Sequence, residues 1–210
     1  MEAYKSLRVK VENLASSRGY KKFLITSAVA DEGKSTVISN LAIVLAQKEK
    51  SVLIVDCDMR KPTIQTLFSL PGKDVTGLSN LLRGECQAQD VIRRSEKFGV
   101  SLVTSGPCVD DAAELLDSDA MHAFVAAMEE RFDYILFDTP PAHVVSDAAT
   151  LCKYVDAAIL VIKQDFCNME IINRTIEDIQ SQNKPVVGCV FNKTQKSHGV
   201  LGYSRLWIRL

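Results

Sequence analysis

The sequence predicts a doubly wound, mainly parallel α/β sheet with helices on both faces, and three observations carry that prediction. Short β-branched apolar runs alternate with longer segments of helical period, as in a sheet covered on both sides. Most of the runs are apolar throughout rather than alternating, which suits strands buried on both faces. The first run leads through a loop into Gly33-Lys34-Ser35-Thr36 and an amphipathic helix, the strand, loop and helix order that a phosphate-binding loop (P-loop) needs.

The elements follow in chain order. A first helix over about 2–16 places Tyr4, Leu7, Val11 and Leu14 at three- and four-residue steps. Such a stripe must pack on something; packing on its own domain is the expected use, and an intersubunit face is the alternative. The strands are Phe23–Thr26, Val52–Val55, Val100–Val103, Tyr134–Phe137, Ala158–Ile162 and Val186–Val190, each bounded by charge or a turn residue. Helices are predicted over Lys34–Glu49, where Val37, Leu41 and Leu45 share one side, and over Asp119–Arg131 and Met169–Gln182. Shorter helical pieces fall at Leu78–Arg83 and Ala112–Leu116.

At 210 residues, 47% of them hydrophobic, the chain can bury a core and reads as a single domain over 1–210 with a tail at about 195–210. Lys plus Arg is 25 against 26 for Asp plus Glu. That balance gives no electrostatic footprint for nucleic acid, so any bound anion must be held locally. No unbroken apolar run exceeds Ala157–Ile162, far short of the roughly 18 residues of a membrane span. Charge at Glu2, Lys5 and Arg8 stands where a signal peptide needs apolar residues. The six cysteines form no C-x-x-C pair and read as reduced thiols of a cytoplasmic protein.

Phosphate chemistry is expected at the ends of three strands. After the first strand, loop and first-turn N–H groups lack helical acceptors and the helix dipole favours an anion. Lys34 would reach the β- and γ-phosphates, Ser35 would offer its hydroxyl to Mg²⁺, and Thr36 would contact the α-phosphate. The strict G-x4-G-K-[ST] pattern fails, because Ala28 stands at its first glycine. The second strand ends in Asp56-Cys57-Asp58 and the fourth in Asp138-Thr139-Pro140-Pro141. One aspartate at a strand end is commonly a cap, but three strand ends bearing these groups in order are hard to assign to capping. Converging carboxylates call for a cation, which suits Mg²⁺ with oxygen ligands.

These residues resemble the bacterial tyrosine kinases that regulate capsule and exopolysaccharide synthesis. The likeness covers nearly the whole chain: Val55-Asp56-Cys57-Asp58-Met59-Arg60-Lys61-Pro62, Gly77-Leu78-Ser79-Asn80-Leu81-Leu82-Arg83-Gly84, Thr104-Ser105-Gly106-Pro107 with Glu114-Leu115-Leu116, and Phe137-Asp138-Thr139-Pro140-Pro141 with Ser146-Asp147-Ala148. The related Min- and Par-type ATPases usually carry a second lysine early in the phosphate loop, where this chain has Ser27-Ala28-Val29-Ala30. The resemblance implies an ATP- and Mg²⁺-dependent autokinase that transfers the γ-phosphoryl group to tyrosine. By similarity Asp31, Glu32, Gly33, Lys34, Ser35, Thr36 and Asn192 bind the nucleotide, and Ser35, Asp56 and Asp138 hold the metal. Lys34, Asp56 and Asp58 are the catalytic set, with Asp56 orienting or deprotonating the tyrosine hydroxyl and Asp58 supporting the metal shell. The family's E-x2-R-x2-R helix meets a neighbouring subunit in a ring, and reads here Glu2, Lys5 and Arg8. Family kinase domains are fused to, or activated by, a membrane protein of polysaccharide export, so recruitment to the inner face of the membrane is expected.

Two departures from the family stand out. Where its loops usually carry Pro-Gly, this chain has Ala30-Asp31. Asp tolerates a left-handed torsion better than most residues, but Asp31 and Glu32 together would repel a triphosphate unless their side chains turn away. The family tail ends in a tyrosine cluster, whereas here only Tyr203 is present as the phosphoacceptor. Two other readings stay open on these residues: an ATPase switch of the Min or Par type, and a nucleotide-binding regulatory module without transfer activity.

Overall fold

The computed structural model describes residues 2–70, 76–142 and 147–194. In chain order these form α1 (Glu2–Arg18), β1 (Lys22–Ser27), α2 (Lys34–Ala46), β2 (Val52–Asp56), α3 (Ile64–Leu67), α4 (Leu78–Leu82), α5 (Ala88–Val91), β3 (Ile92–Ser95), β4 (Val100–Val103), α6 (Ala112–Leu116), α7 (Asp119–Glu129), β5 (Tyr134–Asp138), α8 (Asp147–Leu151), β6 (Ala157–Lys163), α9 (Met169–Ser181) and β7 (Val186–Asn192). The strands make one seven-stranded sheet in the order β3-β4-β2-β5-β1-β6-β7. Every neighbouring pair is parallel except β3 with β4.

Uniformly apolar strands are explained by two cores, one on each face. Phe23, Ile25, Val52 and Ile54 pack with Leu7, Val11, Leu41 and Leu45 of α1 and α2. Their chain neighbours Leu24, Leu53 and Val55 point the other way and pack with Leu78, Phe124 and Leu151 of α4, α7 and α8. Alternate side chains along a strand face opposite sides, so both sets must be apolar when both faces are covered.

The stripe on α1 packs on its own domain. Leu7 and Val11 are buried in the α2-side core, with Tyr4 and Leu14 against the same cluster. At about 1.5–3 kcal/mol for each fully buried aliphatic side chain, that seam fastens α1 to the sheet.

All six predicted strands are present, and β3 is an addition to them. Its Ile92-Arg93-Arg94-Ser95 carries two charges and no apolar run; it is a strand because it forms a hairpin with β4, pairing Ile92 with Val103 and Ser95 with Val100. Helices α3, α5 and α8, of four or five residues, are too short to show a helical period in the sequence. The stretches Gly77–Gly84 and Thr104–Pro107 form a packed pair, with Leu78 and Ser79 N–H donating to the carbonyls of Thr104 and Ser105 at 2.8 and 2.9 Å. A Cβ on Gly77 would lie 2.2 Å from the Gly106 nitrogen, so this approach requires glycine. Among the described residues, no helix is long and apolar enough to cross a membrane.

Candidate active site

The C-terminal ends of β1, β2 and β5 are neighbours in the sheet, so the loop after β1 and the carboxylates after β2 and β5 share one edge. Open α/β sheets bind ligands at this edge. Between β1 and α2 the chain takes left-handed torsions at Asp31 (φ 63°) and Gly33 (φ 90°). Aspartate occupies its position at modest cost, as expected from the sequence. Gly33 has no such latitude, because a Cβ there would also lie 2.2 Å from Asn192 Nδ2. Gly33 caps α2 without a side-chain hydrogen bond. The following N–H groups of Lys34, Ser35 and Thr36 lack helical acceptors and stand at the positive end of the helix dipole.

Asp56 and Asp138 are register partners at the ends of β2 and β5, and the Cys57 N–H donates to the Asp138 carbonyl at 2.8 Å. Both carboxylates are essentially inaccessible to solvent. Burial pushes the Asp138 carboxyl up to about 6, with the Ser35 hydroxyl and the Lys34 charge pulling it back and Asp58 opposing them. Asp56 is raised well above the usual carboxylate range, first by burial and then by Asp138 and Asp58. Its Oδ1 and Oδ2 accept N–H bonds from Asp58 (3.1 Å) and Ile64 (3.4 Å). Asp58 Oδ1 accepts the N–H groups of Arg60 and Lys61 at 3.3 and 2.9 Å, holding the turn beyond β2.

The structure brings Lys34, Ser35, Asp56, Asp58 and Asp138 to this edge. Lys34 is buried, whereas Thr36 is exposed on the first turn of α2. Glu32 is 0% exposed and its carboxylate accepts backbone N–H bonds, while Asp31 is exposed. The Asn192 side chain donates to the Glu32 carbonyl at 2.9 Å, placing it against the loop. Glu2 and Lys5 form an exposed ion pair at 3.5 Å. Arg8 lies along its own chain, with Nη1 donating to the Val44 carbonyl at 3.4 Å and Nε paired with Glu12 at 3.6 Å. Tyr203 lies outside the described residues.

One further acidic residue joins this edge. Asp147 opens α8 fully buried, and its Oδ2 pairs with Arg60 Nε at 3.3 Å. The sequence shows it only as part of Ser146-Asp147-Ala148, and its partner emerges from the contact between the start of α8 and the turn after β2.

Among the described residues, no group of three or more His, Cys, Asp and Glu forms a ready-made metal cage. The donor set nevertheless fits a cation that keeps water and phosphate ligands. Asp138 Oδ1 is buried without a hydrogen-bond partner, on a carboxyl that has the Ser35 hydroxyl and a second buried carboxylate as neighbours. A partial shell of one or two carboxylates and a hydroxyl is the kind of protein site Mg²⁺ uses with nucleotide phosphates.

The chain is similar to known proteins along most of its length. A family model described as "AAA domain" matches residues 28–188. The chain is 34% identical over 203 residues to tyrosine-protein kinase YwqD of Bacillus subtilis (strain 168), covering 96% of this chain and 85% of that one. It is 30% identical to tyrosine-protein kinase ptk of Acinetobacter johnsonii over 94% of its own length, but spans 27% of that relative. The solved kinase domain of Escherichia coli tyrosine kinase ETK superposes with a TM-score of 0.88 at 28% identity, over 96% of this chain and 80% of that one.

Proposed function

The chain belongs to the AAA domain family and, within it, to the bacterial tyrosine-protein kinases, and from that membership we propose the chemistry of its site. It is a protein-tyrosine kinase that uses ATP with Mg²⁺ and serves capsule or exopolysaccharide production. The observation that carries this reading is the pairing of buried Asp56 and Asp138 on adjacent strand ends, next to the Lys34–Ser35 helix start.

Lys34 and the N–H groups opening α2 hold the β- and γ-phosphates. Ser35 and Asp138, with Asp56 opposite, would hold Mg²⁺, which when bound neutralises phosphate charge. Phosphoryl transfer demands positioning and charge neutralisation more than covalent chemistry, and this edge supplies both. Asp56 faces the tyrosine hydroxyl. As the tyrosine oxygen bonds to the γ-phosphorus and the bond to the β-phosphate oxygen breaks, the phenolic proton passes to Asp56. A phenol has a reference pKa near 10, so a base that acts as the new bond forms is valuable. Burial, with Asp138 and Asp58 beside it, raises the Asp56 carboxyl well above the usual carboxylate range, which makes it a stronger base.

The acceptor is Tyr203 of another copy, brought close by ring assembly through Glu2, Lys5 and Arg8. Recruitment to the inner face of the membrane comes through a membrane-bound activator of polysaccharide export. Purified protein incubated with γ-labelled ATP and Mg²⁺ tests the reading: label on tyrosine supports it, with peptide mass spectrometry placing phosphate on Tyr203. Free phosphate alone, or nucleotide binding without turnover, overturns it in favour of an ATPase switch or a regulatory module.

A further inference from the structure

Glu32 is buried in the middle of a loop expected to hold a triphosphate, and its charge is directed at the protein's own backbone. Oε2 accepts the Val29 N–H at 3.0 Å, across the same loop. Oε1 accepts the N–H of Lys163, the last residue of β6, at 3.1 Å. The Glu32 carbonyl takes the Asn192 Nδ2 hydrogen at 2.9 Å from the last residue of β7. Lys163 and Asn192 are register partners across those strands, so both the side chain and the backbone of Glu32 are fastened to one pair of strand ends. Ser27 Oγ adds a 2.6 Å bond to the Val29 carbonyl.

We infer that Glu32 is a positioning residue that braces the phosphate loop against β6 and β7 and sets ATP affinity without touching the nucleotide. Hydrogen bonds to an ionised carboxylate are about twice as strong as neutral ones, and two of them here tie Glu32 to Val29 within the loop and to Lys163 at the end of β6. The residues whose N–H groups would meet phosphate, Gly33 to Thr36, begin immediately after the braced residue. A loop held in its binding shape before ligand arrives loses less freedom on binding, and a loop that must be reshaped is penalised by the fraction of time it is competent. The two adjacent acidic residues therefore differ: Asp31 is exposed, and the Glu32 charge is spent internally.

This inference rests on the proposed nucleotide site, and its test separates the two. Hydrogen exchange of the Val29 and Lys163 amides is measured in nucleotide-free protein, together with Mg-ADP affinity and the KM and kcat of transfer, for wild type, Glu32→Ala and Glu32→Gln. Glu32→Ala is expected to speed exchange at both amides, weaken Mg-ADP binding and raise KM for ATP about tenfold or more, while kcat at saturation stays within about threefold. Glu32→Gln can accept only one of the two N–H groups through its single carbonyl oxygen, so it should fall between wild type and Glu32→Ala. Unchanged amide protection and ADP affinity in Glu32→Ala would overturn the brace, as would a fall in kcat with KM unmoved. If Glu32→Ala does not fold, Glu32→Gln decides by the same readouts. Should wild-type protein fail to label tyrosine, the exchange measurement still judges the brace.

Discussion

The two edges of the sheet use aspartate in opposite ways. At the edge where strands begin, Asp156 Oδ2 accepts the N–H groups of Lys21 and Lys22 at 2.7 and 2.8 Å, and the Lys22 ammonium stands 3.5 Å from its other oxygen. Asp133 accepts the Ser51 N–H and hydroxyl at 2.9 and 2.8 Å, and these bonds hold its carboxyl below the usual range. At the edge where strands end, Asp56 and Asp138 face each other in the sheet register and are pushed up, and buried oxygens of Asp138 and Asp147 lack hydrogen-bond partners. The first edge has enough donors for its charges, so its aspartates stabilise the fold. The second buries carboxylates with oxygens left unpartnered, an arrangement that suits a ligand bringing cations and proton traffic.

The comparison breaks most visibly at Asp56. Asp56→Ala should lower tyrosine transfer by about 10²- to 10⁴-fold, the range for losing a positioned base, while Mg-ADP binding changes far less. Lys34→Met should impair both transfer and binding. Labelled-phosphate transfer and calorimetric ADP titration separate the two variants, and an Asp56→Ala protein transferring at the wild-type rate would remove Asp56 from its role.

Asp138→Asn gives the next largest effect, and its sign is the informative part. A carboxyl whose folded pKa is raised from 3.8 to about 6 favours the fold when protonated. That contribution is present below pH 3.8 and is lost as pH rises through about 6. In metal- and nucleotide-free protein at pH 7.5, Asp138→Asn should be more stable than wild type by up to about 3 kcal/mol, at 1.36 kcal/mol per pKa unit. The advantage should shrink toward zero near pH 4. Denaturant unfolding at several pH values measures it, and a variant less stable than wild type at pH 7.5 would mean that the charge at Asp138 is already compensated.

Most of the architecture was legible because it rests on local pattern. Apolar runs such as Val52–Val55 reveal buried strands, and Leu7 with Val11 on one helical stripe marks the face of α1 that packs inward. The strand-end positions of Asp56 and Asp138 were legible for the same reason. Pairings made over long sequence distance were not. Arg60 with Asp147, Glu32 with Lys163 and Asn192 with Glu32 join residues separated by 87, 131 and 160 positions. Nothing local distinguishes Glu32 from a solvated acid facing phosphate, and its placement depends on where β6 and β7 end. Strand β3 has no signature in its own composition, because cross-strand pairing with β4 is what makes it a strand.

The smallest effect tests the stabilising edge. Asp133→Asn keeps the shape of the side chain but weakens its bonds to Ser51, which join the start of β2 to the start of β5. Because the Asp133 carboxyl is held below its ordinary value, its contribution is present above the unfolded pKa and lost as pH falls through the folded one. Asp133→Asn should therefore be less stable than wild type at pH 7.5 by about 1 kcal/mol, the scale of an exposed charge-assisted hydrogen bond, or about 2–4 °C in Tm for a chain of this size. That deficit should close on acidification, and transfer activity at 25 °C should be unchanged. Thus Asp133→Asn and Asp138→Asn, the same chemical change at the two ends of one strand, are expected to move stability in opposite directions at neutral pH. Two variants moving the same way would show that the supply of donors does not govern what an aspartate does here.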